Sequence, residues 1–303
     1  MGKIAFVFPG QGTQFVGMGK DIYENNALAR EEYDKIFKNL SFDLKTPMFD
    51  GPEEILKKTK YTQPAIVAMS LILDKLLKQK GINPDFVAGH SVGEYSAIGS
   101  AGFLSLDEAV KLTSFRGEVM NEIAEKVNGG MAAVIGMSSD KIQEFLKTIP
   151  GIVEAVNFNE PKQTVIAGEK EAIEKACEIL KENGARRAMP LAVSGPFHSS
   201  LMKPAGEKLK EELKKYTLNN TSIKLVANTT AEFISTGNEL KEEIYNQSFG
   251  PVKWVDTIEK LKENGVETIY EIGPGKVLSG LIRKIDKSLK VISVNSIAAI
   301  ENL

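Results

Sequence analysis

With one cysteine, Cys177, the chain can form neither an internal disulfide nor a thiolate metal cluster, and a lone thiol suits a reducing compartment. Cys177 falls in a helical pattern, Glu171 to Lys181, where a small packing side chain is the simpler role. No apolar run approaches the roughly 20 residues that span a bilayer. The opening run, Met1 to Phe8, is too short for a signal peptide and has no cleavage site, so it reads as a buried strand and a cytoplasmic protein is expected. Charge of one sign is also missing: 38 Lys and Arg face 40 Asp and Glu, which leaves no global field to gather nucleic acid or an anionic membrane as partner. Histidine is scarce, with only His90 and His198, so an imidazole base must be one of these two. What remains is ordinary for a soluble globular protein, 42% hydrophobic and 26% charged. At 303 residues it should make about two domains, or one domain with an insertion.

Strand and helix patterns alternate along most of the chain. Lys3 to Phe8, Phe86 to Ala88, Ile223 to Ala227, Thr268 to Ile272 and Val291 to Val294 read as strands. Between them lie helical patterns at Thr62 to Lys80, Ser105 to Ala124, Trp254 to Asn264 and Val277 to Lys284. This alternation predicts an α/β fold with a mainly parallel sheet covered by helices on both faces. The middle departs from it. Met131 to Ile135, Ser138 to Thr148, Ile152 to Asn157, Gln163 to Ala167, Lys170 to Asn183 and Arg186 to Ala192 read as strand, helix, strand, strand, helix, strand, which is the ferredoxin-like order. Gly129-Gly130 and Ser194-Gly195-Pro196 suit hinges on either side. The expected organisation is a large α/β-hydrolase-like domain, residues 1–128 and 194–303, interrupted by a small ferredoxin-like domain, residues 129–193, with a ligand cleft between them.

The chemistry centres on Asp85-Phe86-Val87-Ala88-Gly89-His90-Ser91-Val92-Gly93-Glu94, an apolar strand running into Gly-x-Ser-x-Gly and a helix start. That order is a nucleophile elbow, whose tight turn holds the serine oxygen clear at a sheet end and points to acyl transfer. A serine hydroxyl needs a base in hydrogen-bond reach. His198 stands where the chain leaves the inserted domain and can overhang the cleft; His90, beside the serine on a strained turn, projects differently and ranks second. A hydrolase triad would take its Asp or Glu from between serine and histidine. Asp107 and Asp140 fall there, but both stand at helix starts, where capping explains them better, and a backbone carbonyl can orient His198 instead. The turn Phe8-Pro9-Gly10-Gln11-Gly12-Thr13-Gln14 lacks the third glycine and the Gly-Lys-Ser/Thr ending of phosphate loops. At the same sheet end as Ser91, the N–H of Gln11 can serve an oxyanion together with that of Val92.

Gly10-Gln11-Gly12-Thr13-Gln14, Thr62-Gln63-Pro64-Ala65, Gly89-His90-Ser91-Val92-Gly93-Glu94, Arg116-Gly117, Phe197-His198-Ser199 and Glu271-Ile272-Gly273-Pro274-Gly275 together resemble the malonyl-CoA:acyl carrier protein transacylase family of bacterial fatty-acid synthesis. The likeness runs from Met1 to about Asn295, with the motifs in the family's order. It implies a ping-pong transfer in which a serine takes malonyl from coenzyme A and passes it to the phosphopantetheine thiol of holo acyl carrier protein. By this resemblance Ser91 is the nucleophile, His198 the base and acid, Gln11 and Val92 the oxyanion donors, and Arg116 the partner of the malonyl carboxylate. Gln247 is the residue whose main-chain carbonyl orients the histidine, although Gly250 stands where the family often has Asn. Gln63, His90, Met120 and Phe197 line the pocket, Phe197 narrowing it beside the malonyl α-carbon. The coenzyme A thioester is a substrate, and neither a bound cofactor nor a metal is expected. A freestanding polyketide-type acyltransferase and a serine hydrolase are the alternatives, the second disfavoured by Arg116.

Overall fold

The computed structural model describes residues 2–303; residue 1, where the expected large domain begins, lies outside them. Among the described residues ten strands form two sheets. In chain order these are β1 (Lys3–Phe8), β2 (Phe86–Gly89), β3 (Gly129–Ile135), β4 (Val153–Glu160), β5 (Gln163–Glu169), β6 (Arg187–Pro190), β7 (Lys224–Val226), β8 (Phe233–Ile234), β9 (Val266–Ile272) and β10 (Lys290–Val294).

The larger sheet has the order β10-β9-β1-β2-β7-β8. Its first five strands run parallel, and β8 turns back antiparallel against β7. Alternate side chains of the central strands feed two cores, as the period of a strand requires. Phe6 and Phe8 of β1 join Val87 of β2 and the apolar stripe of the helix Thr59–Gln79, including Ile66, Met69 and Leu73. Ala5 and Val7 face the other way, against Trp254, Ile258, Leu278 and Ile282 of the helices Trp254–Glu263 and Val277–Ile285. Helices on both faces explain why β1 and β2 read as continuous apolar runs.

The smaller sheet is antiparallel, in the order β4-β5-β3-β6. The helices Ser139–Leu146 and Lys170–Glu182 cover one face, burying Ile142, Ile173, Cys177 and Leu180 against Ala132 and Val134. The opposite face, through Met131, Val156, Val165 and Ala167, packs on Met120, Ile123 and Phe197. Its edge strand β4 is also tied by backbone to the larger unit: Val252 donates to the Val156 carbonyl at 2.7 Å and accepts from the Phe158 N–H at 2.9 Å.

The expected elements are present, with bounds set by local chemistry. A capping box formed by Ser105 and Glu108 starts the helix Leu106–Lys126 one residue later than expected. Asp107 therefore does not cap; it stands in the first turn and accepts from Asn39, while Asp140 stands in the first turn of Ser139–Leu146. Both suit the positive end of a helix dipole and neither reaches His198. The helices Lys20–Asn25, Ala27–Asn39, Lys45–Phe49, Glu53–Leu56, Lys203–Glu212, Gly237–Gln247 and Ile297–Glu301, and the two-residue strand β8, were not foreseen.

Candidate active site

Three neighbouring parallel strands, β1, β2 and β7, end at the same edge of the larger sheet, and the loops after them supply Gln11, Ser91 and Asn228. Ligands of open α/β sheets bind beyond the carboxyl ends of the strands. Here the smaller sheet closes over that edge to leave a cleft of about 520 Å³. Gln11, Gln63, His90, Ser91, Arg116, Met120, Phe197 and His198 all line it. Val92 and Gln247 are fully buried directly beneath it.

The turn after β2 is tight because glycine permits it. A Cβ on Gly89 would stand 2.0 Å from the Gly93 carbonyl carbon, and one on Gly93 would stand 2.1 Å from the Phe8 oxygen. Only hydrogen fits at either place, so the helix Gly93–Ala101 starts hard against the strands. Ser91 takes φ +52°, a left-handed conformation that costs roughly 1–3 kcal/mol for a residue with a side chain. Of the described non-glycine residues only Ser91, His198 and Ala231 have positive φ, and the first two face each other.

Ser91 Oγ lies 2.7 Å from His198 Nε2. His198 Nδ1 lies 2.9 Å from the Gln247 carbonyl and 3.1 Å from that of Gly250. Carbonyls only accept, so Nδ1 carries the proton and shares it between them. Nε2 is then free to accept from the serine hydroxyl, which is the tautomer a base requires. Burial, and next the Arg116 charge, push the His198 pKa from 6.5 down to about 3. The imidazole therefore stays neutral far into the acid range. Since a base fails only when protonated, the acid limb of kcat/KM is expected more than about one unit below the ordinary histidine value of 6.5. A pH profile of the free enzyme checks this, and a limb at 6.5 contradicts it.

His90 points elsewhere. Its Nε2 lies 2.7 Å from Oδ1 of Asn159 on β4, and its ring meets Trp254 edge-on at 5.6 Å. His90, ranked second as the serine's base, thus turns its ring to Asn159 and Trp254 and not to Ser91 Oγ.

Arg116 projects from the middle of Leu106–Lys126 and is fully buried. Nη1 donates to Gln63 Oε1 at 2.7 Å, and Nη2 donates to Gln247 Oε1 at 2.9 Å and to Ser91 Oγ at 3.4 Å. Its guanidinium carbon lies 5.3 Å from the Tyr95 ring centre, and Nε–H has no acceptor among the described residues. A buried cation is normally matched by an anion. This one is held by neutral amides and the Ser91 hydroxyl, and burial presses its pKa down. The cleft thus presents an unmatched positive charge where an acyl group on Ser91 would lie.

Gln247 does more than its sequence position disclosed. Its carbonyl faces His198, its side-chain oxygen accepts from Arg116, and its Nε2 donates to the Ser91 carbonyl at 2.7 Å. The N–H groups of Gln11 and Val92 have no acceptor among the described residues. Gln63 Nε2 approaches Gln11 Oε1 at 3.5 Å, and Met120 Sδ packs on the same amide. Asn157, Asn159 and Gln163, polar residues of β4 and β5 that face the cleft, were not anticipated. Strand periodicity alone could have placed them on one face of the sheet, but not over the serine.

Residues 5–300 match the family model described as acyl transferase domain. Among curated proteins, the malonyl CoA-acyl carrier protein transacylase of Bacillus subtilis is 44% identical over 304 residues, covering 99% of this chain and 96% of its own. Among solved structures, an acyl carrier protein S-malonyltransferase from Vibrio cholerae superposes with TM-score 0.95 at 39% identity, covering 99% of both chains. A complex of a holo type II PKS acyl-carrier protein with its malonyl-transacylase also gives 0.95, at 38% identity, covering 99% of this chain and 98% of that one.

Proposed function

We propose, from the premise that this chain belongs to the acyl transferase domain family, among the malonyl CoA-acyl carrier protein transacylases, that Ser91 carries malonyl from coenzyme A to the thiol of acyl carrier protein. The protein is an acyltransferase whose substrate is a coenzyme A thioester. The observation that carries the mechanism is one constellation: a serine 2.7 Å from a neutral histidine, with an anion-free buried guanidinium 3.4 Å from the same oxygen.

Ser91 Oγ attacks the thioester carbonyl while His198 Nε2 takes its proton. The carbonyl oxygen becomes an oxyanion, and the N–H groups of Gln11 and Val92 receive it. As the tetrahedral intermediate collapses, the C–S bond breaks and His198 returns the proton to the leaving thiolate. Malonyl-Ser91 then waits with its carboxylate on Arg116. A guanidinium fork can hold it through two charged hydrogen bonds, with Gln63 shaping the same end of the pocket and Met120 and Phe197 walling it. The carrier's phosphopantetheine thiol enters, gives its proton to His198 and attacks; the serine leaves and is reprotonated. This is a ping-pong sequence of two half-reactions.

The larger sheet with its helices, residues 1–128 and 194–303, reads as a hydrolase-like domain, and residues 129–193 as a ferredoxin-like one. The strand order β4-β5-β3-β6 supports the second reading. The lone buried Cys177 is consistent with work in the cytoplasm. A second reading, polyketide rather than fatty-acid supply, has the type II complex above in its favour.

Labelled malonyl-CoA added without carrier should label the protein at Ser91, and holo carrier should then remove the label without releasing free malonate. A fatty-acid carrier and a polyketide carrier compared side by side separate the two readings. Release of malonate at the rate of deacylation makes the protein a hydrolase. His198→Ala is expected to slow both half-reactions by on the order of 10³-fold or more, and His90→Ala by far less. Single-turnover rates for each half-reaction decide this, and the reverse order overturns the assignment of the base.

A further inference from the structure

Ser91 is gripped at both ends of its peptide by side chains from distant parts of the chain. Gln247 takes its carbonyl, as described. Its N–H donates to Asn228 Oδ1 at 2.8 Å, and Nδ2 of the same amide donates to the Gly89 carbonyl at 2.6 Å. Asn228 is completely buried, two residues past the end of β7, the strand that flanks β2. It is itself held. Its N–H donates to Glu94 Oε1 at 2.8 Å, and the next N–H, of Thr229, donates to Glu243 Oε1 at 3.0 Å. The Thr229 hydroxyl donates to the other Glu243 oxygen, and Glu94 Oε2 has no partner among the described residues. Glu94 lies in the first turn of the helix that follows the serine, so strand end, elbow and helix start meet on one amide.

We propose that Asn228 is a positioning residue for acyl transfer, clamping the turn on both sides of His90 so that Ser91 keeps the conformation that aims Oγ at His198. This rests on Ser91 being the nucleophile. The turn has a physical need for it: φ +52° is unfavourable for serine, and relaxation toward negative φ swings Cβ, and Oγ with it, off the imidazole. Only a group that both accepts and donates in one plane can bridge the Ser91 N–H and the Gly89 carbonyl. An amide does so at every pH. A carboxylic acid does so only while protonated. Asn228 does not line the cleft, and the hydrogen bonds of Arg116 go to other residues, so the influence of Asn228 belongs to the rate of the chemical step and not to malonyl recognition.

The experiment uses the full chain, labelled malonyl-CoA and rapid quench. Asn228→Ala is expected to slow formation of malonyl-Ser91 by about 10²-fold, the scale of an ångström-size misplacement, while KM stays within about twofold. Asn228→Asp supplies a signature that a scaffold residue lacks. Its rate relative to wild type should climb as pH falls, because protonation restores the donor to Gly89. The titratable and charged groups around it are Glu94, Glu243, His90, His198 and Arg116; a carboxylate at 228 raises the His198 pKa, which by itself makes the relative rate fall as pH falls, so a climb has the opposite sign and reports the restored donor. Should Asn228→Ala fail to fold, the nearly isosteric Asn228→Asp decides alone. A wild-type rate for Asn228→Ala, or a flat ratio against pH for Asn228→Asp, overturns the proposal. Wild-type protein that takes no label at Ser91 overturns instead the reading on which it rests.

Discussion

Ser91→Ala is expected to yield a folded protein that never becomes malonylated and whose turnover falls by on the order of 10⁴-fold or more. On the proposed mechanism the hydroxyl is the point of attachment, and among the described residues no other nucleophilic side chain stands against His198 Nε2. The fold should tolerate the change, because the turn is shaped by Gly89, Gly93, Asn228 and Gln247, not by the hydroxyl. Alanine pays a similar backbone penalty at φ +52°, so strain is not relieved. Mass spectrometry after incubation with malonyl-CoA is the measurement. A mutant that gains the malonyl mass at the wild-type rate would place the nucleophile elsewhere.

Arg116→Ala should separate substrates by their charge. Charged hydrogen bonds are worth roughly 1.5–3 kcal/mol each, so losing two from the malonyl carboxylate predicts about a 10²–10⁴-fold fall in kcat/KM for malonyl-CoA. Acetyl-CoA has no carboxylate and leaves the guanidinium unmatched in the native protein, and so should lose little. The substitution also orphans the Gln63 and Gln247 side-chain oxygens, and Gln247 touches the Ser91 carbonyl. That damage falls on both substrates alike. The ratio of the two kcat/KM values is therefore the informative quantity, and an unchanged ratio would make Arg116 a purely structural residue.

The elbow, the glycine turn and the two elements meeting at His198 were legible because each is a short, contiguous signal. Gly89, Ser91 and Gly93 announce a turn in five letters, and scarcity of histidine left few candidates for the base. Arg116 needed the family likeness, since an arginine inside an amphipathic helix usually faces water, whereas here it is wholly buried. Asn228 and the side-chain roles of Gln247 were not legible. Their partners lie 137 and 156 residues away in the chain, and no local pattern marks a hydrogen bond across such a distance. One cue existed for Asn228, a polar residue just past a parallel strand, at the edge where such sheets place their ligands. The order of the strands was hidden as well. Periodicity tells that β7 is a buried strand but not that it lies beside β2, and that adjacency is what puts Asn228 at the serine. The short helices Lys20–Asn25, Lys45–Phe49 and Glu53–Leu56 were missed because pieces of one or two turns carry too few residues to show a period, whereas Ala27–Asn39, at 13 residues, was long enough to show one and buries only Ala29, Tyr33 and Ile36.

The backbone link between β4 and Val252 bears on how the protein can be re-engineered. The carbonyls that set the imidazole, at Gln247 and Gly250, lie on the same short strip as Val252, which is hydrogen-bonded as an extra strand segment to Val156 and Phe158. Transplanting residues 129–193 from a relative to obtain a differently shaped acyl pocket brings the donor's β4, and with it a new seat for the strip and a new tilt for the imidazole. On the proposed mechanism, acyl choice and turnover are in this way geared to one another. Chimeras that keep β4 native and exchange only the cleft-facing residues of β3 and β5 leave that gearing untouched.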